Sequence, residues 1–203
     1  MSSGHDVAII DSGGANLSSL RYALDRLGAR SVVSTDAAVI AAAPRVLLPG
    51  VGAAAAAMAR LRAQGLEQLI RQLRVPLLGI CLGMQLLFDH SAEGDTTCLG
   101  LLPGRIERLR PSPGLPVPHM GWNTLTITRP DPLFAGLTAG DRLYFVHSFA
   151  APVGDATLAV VEYGSTLSAV VRRDNFLGVQ FHPERSSSAG ARVLKNFLSL
   201  PCC

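Results

Sequence analysis

The chain has 203 residues, of which 48% are hydrophobic and 16% are charged, and its formal charge at pH 7 is +3. This length suits one globular domain with a sizeable core, and this composition excludes extensive disorder. The basic residues are scattered and lack interleaved aromatic side chains, so we predict no nucleic-acid-binding surface. We expect a single domain over residues 1–203.

The termini and the cysteines are typical of a cytoplasmic enzyme. The segment Met1–Asp6 is polar, and the apolar run that follows it is too short for the core of a signal peptide. No apolar stretch approaches the roughly 20 residues of a membrane-spanning helix. The four cysteines have neither metal-ligand spacing nor the density of a disulfide framework. We expect no metal site, and we expect Cys202 and Cys203 to form a frayed tail.

The first half of the chain alternates short apolar runs with segments of helical periodicity. Strands are predicted at residues 7–10, 31–33, 46–48 and 77–80. Helices are predicted at residues 17–27, 53–61 and 66–73. This alternation predicts an α/β fold with a doubly wound, mainly parallel open sheet and helices on both faces. In such sheets the ligand binds beyond the carboxyl ends of the strands.

The second half of the chain is richer in short β-like runs, at residues 124–128, 143–146, 158–161, 168–171 and 176–181. These runs predict additional antiparallel strands, and residues 187–198 predict a closing helix. Four prolines between residues 111 and 118 predict an exposed connection.

The heptapeptide Gly79–Gln85 indicates a nucleophile. Cys81 stands between two glycines, after a strand-like run and before a helix-like one, as the serine does in a nucleophile elbow. Gly79 and Gly83 lack the Cβ atoms that would collide in so sharp a turn. The start of a helix also favours a thiolate over a thiol.

The segment His182-Pro183-Glu184 supplies a base and a carboxylate. Pro183 disfavours helical geometry at His182, so the chain stays extended and places residues two apart on one side. Glu184 can then bond one ring nitrogen of His182 and leave the other nitrogen free to act on a thiol. With Cys81, these residues form a candidate catalytic triad assembled in space.

These two segments resemble those of class I, triad-type glutamine amidotransferases. Within that superfamily the chain is most similar to the glutaminase subunits of imidazole glycerol phosphate synthase. The distinguishing segments are residues 48–53, 118–123 and 144–149, so the resemblance covers essentially the whole chain. It implies that L-glutamine is hydrolysed through a glutamyl thioester on Cys81, with no cofactor. The ammonia would pass to a cyclase subunit, a (β/α)₈ barrel, in a heterodimer that contributes to histidine biosynthesis.

The resemblance also implies roles for individual residues. The backbone N–H groups of Val51 and Leu82 would form the oxyanion hole. The residues implied in substrate binding are Gly52, Gln85, Tyr144, His147 and Ser148. The residues implied at the partner interface are Met120, Trp122 and Asn123. For His147 itself, its place in a strand favours a structural histidine with its hydrogen bonds satisfied.

Three positions that flank the predicted pocket depart from the family pattern, namely Ser12, Ala54 and Arg185.

Two alternative functions stay open at this point. One is a paralogous glutaminase that feeds a different acceptor, such as one for sugar amidination; anthranilate synthase and the pyridoxal phosphate synthase glutaminase fit the 118–123 segment less well. Another is a non-catalytic scaffold that binds a partner barrel, against which the intact triad argues.

Overall fold

The computed structural model describes residues 4–13 and 17–201 of the chain. The tail predicted at Cys202 and Cys203 lies outside the described residues. Within them, the α-helices are α1 (Leu17–Arg26), α2 (Ala37–Ala42), α3 (Ala54–Ala63), α4 (Leu66–Gln72), α5 (Leu82–Gln85) and α6 (Ser187–Leu198). None of these helices is long and apolar enough to cross a membrane.

The strands fall into two groups along the chain. Those of the first half are β1 (Val7–Ile10), β2 (Ser31–Ser34), β3 (Val46–Gly50), β4 (Leu77–Cys81), β5 (Phe88–Ser91) and β6 (Thr96–Thr97). Those of the second half are β7 (Leu102–Arg108), β8 (His119–Thr124), β9 (Thr126–Ile127), β10 (Arg142–His147), β11 (Phe149–Ala150), β12 (Thr157–Glu162), β13 (Thr166–Arg173) and β14 (Phe176–Val179).

The main sheet has eight strands in the order β2-β1-β3-β4-β14-β13-β12-β9. Its first five strands are parallel, and β13, β12 and β9 join them in antiparallel pairs. This confirms the predicted mainly parallel sheet with antiparallel strands from the second half. Two smaller sheets, β10-β8 and β11-β7-β5-β6, extend the structure.

Helices cover both faces of the main sheet. Successive buried residues of β3 point to opposite sides, with Leu47 in one apolar cluster and Leu48 in the other. Helices α1 and α6 contribute to the first cluster, and α2, α3 and α4 contribute to the second. Central parallel strands buried on both faces read as continuous apolar runs, which is why the sequence reveals them clearly.

Two local features differ from the sequence-based expectation. The helix after Cys81 is a single turn that ends at Gln85, and a new strand begins at Phe88. An apolar run buried on every side has no periodicity that separates a helix from a strand. Helix α2 was not expected, because its six residues are too few to show a period; Asp36 caps it by accepting from Ala38 N.

Candidate active site

Cys81 lies in a strained turn at the junction of β4 and α5. Its backbone has φ 53° and ψ −111°, which is rare for a residue with a side chain. A Cβ at Gly83 would lie 1.7 Å from the carbonyl oxygen of Leu48, and a Cβ at Gly79 would lie 2.6 Å from that of Gly83. Both glycines are therefore required by close backbone approach, and the predicted elbow is confirmed.

The end of the neighbouring strand brings His182 and Glu184 to the same edge of the sheet. Strand β14 is parallel to β4, with Val179 paired to Ile80. The segments that follow the two strands therefore leave the sheet side by side. His182 is extended, as predicted, with φ −99° and ψ 98°. Its Nδ1 lies 2.8 Å from Glu184 Oε1, and both side chains are buried. Because the carboxylate accepts, Nδ1 carries the proton.

The turn that carries Glu184 is anchored by residues that the sequence analysis did not identify. The buried Ser186 hydroxyl donates to the His182 carbonyl at 2.6 Å and accepts from Tyr144 N at 2.9 Å. Helix α6 packs so closely that a Cβ at Gly190 would lie 2.0 Å from the Pro183 oxygen. A serine just before a helix and a glycine within it carry no distinctive sequence signal, so only the fold reveals these contacts.

His182 faces Cys81 with its second nitrogen. That nitrogen, Nε2, is buried and accepts or donates no hydrogen bond of standard geometry among the described residues. Burial by itself would lower the pKa of His182, but the nearby Cys81 sulfur and the Glu184 carboxylate outweigh it and raise the pKa to about 10. The sulfur thus influences the ring even though the two groups do not meet standard hydrogen-bond geometry at rest, as is common before substrate binds.

The sulfur of Cys81 has two further polar neighbours. Cys81 Sγ lies 3.7 Å from the carbonyl oxygen of Val146, which can accept from a thiol. It also lies 3.7 Å from Nε2 of Gln180, which can donate to a thiolate. Since α5 has only four residues, its dipole contributes less to the thiolate than the sequence led us to expect. The stabilisation of charge on sulfur falls mainly to side chains.

A cavity of about 430 Å³ opens over the sulfur. This volume suits a small organic ligand. All three triad candidates line the cavity, as do the proposed oxyanion-hole residues Val51 and Leu82. The structure also places four of the five predicted substrate-binding residues in its wall, which are Gly52, Gln85, His147 and Ser148.

Tyr144 is the predicted substrate-binding residue that lies outside the cavity wall. Its ring contacts Trp122 edge-on at 5.8 Å between centroids, and the guanidinium of Arg185 lies 4.8 Å above it. Arg185 itself lines the cavity. Tyr144 therefore links the exposed Trp122 to the cavity through Arg185, one of the positions that depart from the family pattern.

Gln85 is buried and held by its amide nitrogen. Nε2 donates to the Phe149 carbonyl at 2.7 Å and to Gln180 Oε1 at 3.0 Å. Since both of these bonds use the nitrogen, the amide oxygen can accept from a ligand in the cavity.

Glu93 is a cavity residue that the sequence analysis missed. Its carboxylate accepts from Ala54 N at 2.8 Å and caps α3, whose N-cap residue Ala53 offers no side-chain acceptor. It also lines the cavity, opposite in charge to Arg185. A ligand with both an ammonium and a carboxylate group complements this pair of charges. No sequence pattern marks Glu93, because a turn between two short strands brings it there.

The predicted interface residues lie on β8, directly beside the cavity wall. Met120 and Trp122 are 65% and 48% exposed, while Asn123 is half-buried and donates to the Glu162 carbonyl at 3.0 Å. Strand β8 pairs with β10, in the register that places Met120 opposite Val146. The large exposed side chains therefore neighbour a residue that touches the Cys81 sulfur.

Beneath these residues, His147 and His119 form a buried pair. His147 Nδ1 lies 2.9 Å from the Phe149 carbonyl, which can only accept, so His147 Nε2 accepts from His119 Nδ1 at 3.0 Å. The His119 ring stacks on Tyr163 at 3.9 Å. His147 is thus a structural histidine, as its strand context indicated. Burial lowers the pKa of both rings to about 4.

This pair should make the protein acid-sensitive. An ordinary histidine pKa is about 6.5, so the unfolded chain binds protons that the folded pair excludes, and stability is lost as the pH falls from 6.5 toward 4. Each ring should lower the free energy of unfolding by roughly 2 kcal/mol between pH 7 and pH 5. We expect His119→Gln to lose part of this pH dependence, measured by urea denaturation at both pH values. If the free energy of unfolding of His119→Gln falls as much between pH 7 and pH 5 as that of the wild type, the buried pair is not the source of the acid sensitivity.

Cys98 is the other cysteine within the described residues, and it differs from Cys81. It is buried, its sulfur lies 3.5 Å from the Thr96 carbonyl, and burial raises its pKa to about 11. This thiol stays protonated and unreactive at neutral pH. Among residues 4–13 and 17–201, no three His, Cys, Asp or Glu side chains are gathered as metal ligands.

Comparison with known proteins agrees with this geometry. Residues 8–200 match the family described as "Glutamine amidotransferase class-I". The chain is 56% identical over 195 residues to "Imidazole glycerol phosphate synthase subunit HisH" of Xanthomonas axonopodis pv. citri (strain 306), over 96% of this chain and 98% of that protein. The protein of the same name from Xanthomonas euvesicatoria pv. vesicatoria (strain 85-10) is 57% identical with the same coverage.

Solved structures share the fold. One described as "Crystal structure of glutamine amidotransferase" superposes with a TM-score of 0.74 at 22% identity, over 95% of this chain and 96% of that one. The family match, the relatives at more than half identity and the elbow-borne cysteine beside a His–Glu pair agree with one another. The chain belongs to the class I glutamine amidotransferase family.

Proposed function

We propose that this chain is the glutaminase subunit of an imidazole glycerol phosphate synthase in the cytoplasm. In this role it hydrolyses L-glutamine to L-glutamate and ammonia, and it delivers the ammonia to a cyclase subunit in histidine biosynthesis. The observation that carries the proposal is the meeting of Cys81, His182 and Glu184 at one cavity, with His182 Nδ1 bonded to Glu184 at 2.8 Å.

The proposed chemistry follows from this arrangement. His182 Nε2 takes the Cys81 proton, and the sulfur attacks the amide carbon of the substrate side chain. The negative charge that develops on the amide oxygen is stabilised by the backbone N–H groups of Val51 and Leu82. His182 then returns the proton to the leaving ammonia, and water hydrolyses the glutamyl thioester. Glu184 keeps the ring oriented and stabilises the imidazolium.

The cavity complements a free amino acid. The Glu93 carboxylate suits the α-ammonium group, and the Arg185 guanidinium suits the α-carboxylate. The amide oxygen of Gln85 offers a further acceptor. These contacts fix the ends of the substrate so that its side-chain amide lies over Cys81.

The partner would dock on β8. Met120 and Trp122 are large, apolar and exposed, and aromatic residues and methionine are enriched at protein interfaces. We propose that the partner is a (β/α)₈-barrel cyclase. Its substrate would be a phosphoribulosyl-formimino aminoimidazole carboxamide nucleotide, which reacts with the ammonia to give imidazole glycerol phosphate and an aminoimidazole carboxamide ribotide. Docking beside Val146 and Tyr144 would place the release point of ammonia close to the partner.

The loop that supplies Val51 could couple the two subunits. Gly52 has φ +86° and open space around it, so the peptide plane before it can turn. Gly50 is less free, since a Cβ there would lie 2.9 Å from Gly83 N in the nucleophile turn. Gly52 is therefore the cleaner probe of a switch in which partner docking selects the oxyanion-donating loop.

We expect Gly52→Ala to change the ratio of glutaminase rates with and without the cyclase nucleotide by about tenfold, because alanine disfavours this φ by about 1–2 kcal/mol. The dissociation constant of the two subunits should stay the same. Gly28→Ala is a matched control, with φ +76° and open space at the end of α1. The switch is wrong if the isolated wild-type subunit hydrolyses glutamine as fast as the nucleotide-loaded complex.

The function is tested by mixing the protein with a candidate cyclase subunit of the histidine pathway and following glutamine-dependent product formation. Synthesis of imidazole glycerol phosphate supports the proposal. Glutamine hydrolysis without this product would favour a paralogue that feeds another acceptor, and no hydrolysis in any complex would favour a scaffold.

A further inference from the structure

We propose that Gln180 is a further catalytic residue, whose side-chain amide stabilises the Cys81 sulfur as an anion. This inference rests on the proposed function, in which Cys81 is the nucleophile. Gln180 is fully buried and absent from the cavity wall, so it reaches the reaction only through the sulfur.

The backbone brings Gln180 to this place. Val179 at the end of β14 pairs with Ile80 of β4. The next residues along the two segments are Gln180 and Cys81, which therefore lie side by side. His182 follows two residues later, after a bend at Gln180 and Phe181. The strand end therefore delivers both the base and an amide to the same sulfur.

Hydrogen bonds fix which atom of the Gln180 amide faces the sulfur. The Phe149 carbonyl can only accept, so the Gln85 atom 2.7 Å from it must be the nitrogen. This nitrogen also donates to Gln180 at 3.0 Å, so the Gln180 atom there must be the oxygen. The remaining Gln180 atom, 3.7 Å from Cys81 Sγ, is therefore the NH₂ group.

An N–H donor favours the ionised sulfur over the thiol. A thiol can donate to the Val146 carbonyl at 3.7 Å, but a thiolate gains nothing from that oxygen. When His182 takes the proton, the Gln180 N–H supplies a charge-assisted hydrogen bond to the sulfur that remains. Gln180 forms and breaks no covalent bond. The sulfur then attacks the amide carbon as described above.

The same hydrogen bonds hold the Gln180 amide in place beside the sulfur. Gln85 holds Gln180, and the Phe149 carbonyl that holds Gln85 also accepts from His147. In this series of hydrogen bonds, the Gln85 amide and the His147 ring both donate to the Phe149 carbonyl, which can only accept. The amide of Gln180 is thus preorganised, which is the condition under which such donors act most strongly.

The test measures the rate at which iodoacetamide alkylates Cys81 as a function of pH. The modification is quantified on the peptide that carries Cys81, and the midpoint of the rate–pH curve is compared between variants. The other ionisable groups at the site are His182, Glu184, His147, Glu93 and Arg185. These five are the same in all variants, and only Gln180→Glu adds a carboxyl group. We expect Gln180→Met to slow alkylation at pH 7 by about tenfold, the size of one lost charge-assisted hydrogen bond, and to move the pH midpoint upward.

Gln180→Glu provides a second variant that keeps the size of the side chain and the bond from Gln85. It replaces the donor at the sulfur by an acceptor, so the midpoint should move at least as far. The control is Ser168→Ala, which removes a fully buried hydroxyl bonded to Thr157 on the neighbouring strands. Its midpoint should equal that of the wild type. The glutamine KM should be unchanged in Gln180→Glu, which keeps the bond that holds Gln85.

An unmoved midpoint in both folded Gln180 variants would overturn the proposal, and so would an equal shift in Ser168→Ala, which would indicate general loosening. Cys81→Ala is assayed in parallel in the complex. If that variant keeps glutamine-dependent activity, the proposed function itself has failed. If it is inactive while Gln180 variants alkylate normally, only this inference has failed.

Discussion

Cys81→Ala should abolish glutamine-dependent synthesis by the complex and spare synthesis from added ammonium salts. The sulfur is the only atom proposed to bond to the substrate, and loss of a triad nucleophile costs about 10⁶ in kcat. Cyclisation belongs to the partner subunit and needs only ammonia. The measurement is the rate of imidazole glycerol phosphate formation with either nitrogen source.

The matched control for this variant is Cys98→Ala. Cys98 is a buried thiol bonded to the Thr96 carbonyl and does not line the cavity. Its removal should leave both activities near the wild-type level. Equal loss of the two activities in Cys81→Ala would contradict the proposed division of labour between the subunits.

His182→Ala should cost more activity than Glu184→Gln. His182 moves the proton, while Glu184 orients the ring through the 2.8 Å bond to Nδ1. In a serine-protease triad, removal of the base costs about 10⁶ in kcat and removal of the carboxylate about 10⁴. We expect the same order here, in single-turnover measurements of thioester formation by the complex.

The ranking has its own control. Ser186 holds the same turn without contacting substrate, so Ser186→Ala should lower the melting temperature and reduce the rate less than either triad variant. A larger loss in Glu184→Gln than in His182→Ala would show that the roles of base and carboxylate have been assigned wrongly.

Most of the triad's surroundings could be predicted from the sequence because they depend on local patterns. The buried strands read as apolar runs, and two glycines around Cys81 and a proline after His182 restrict the backbone within a few residues. The seven residues expected at the oxyanion hole and in substrate binding were named by family resemblance rather than by local pattern, and six of them line the cavity.

The remainder depends on contacts between distant segments. Gln180 reads as an ordinary residue in an apolar strand, and only the β14–β4 register places it against Cys81. Glu93 reaches the cavity from a turn, and Ser186 acts through the neighbouring β10. The single-turn helix α5 was also beyond reach, because an apolar segment that is buried on all sides shows no helical or strand period.

The most direct test of the account is to quench the nucleotide-loaded complex with acid while it turns over glutamine. The mass of the peptide that carries Cys81 is then determined by mass spectrometry. The account predicts a glutamyl adduct on Cys81, labile to hydroxylamine as a thioester is, and absent from Cys81→Ala. Turnover of glutamine in wild type with no adduct on this peptide, together with full activity of Cys81→Ala, would contradict it.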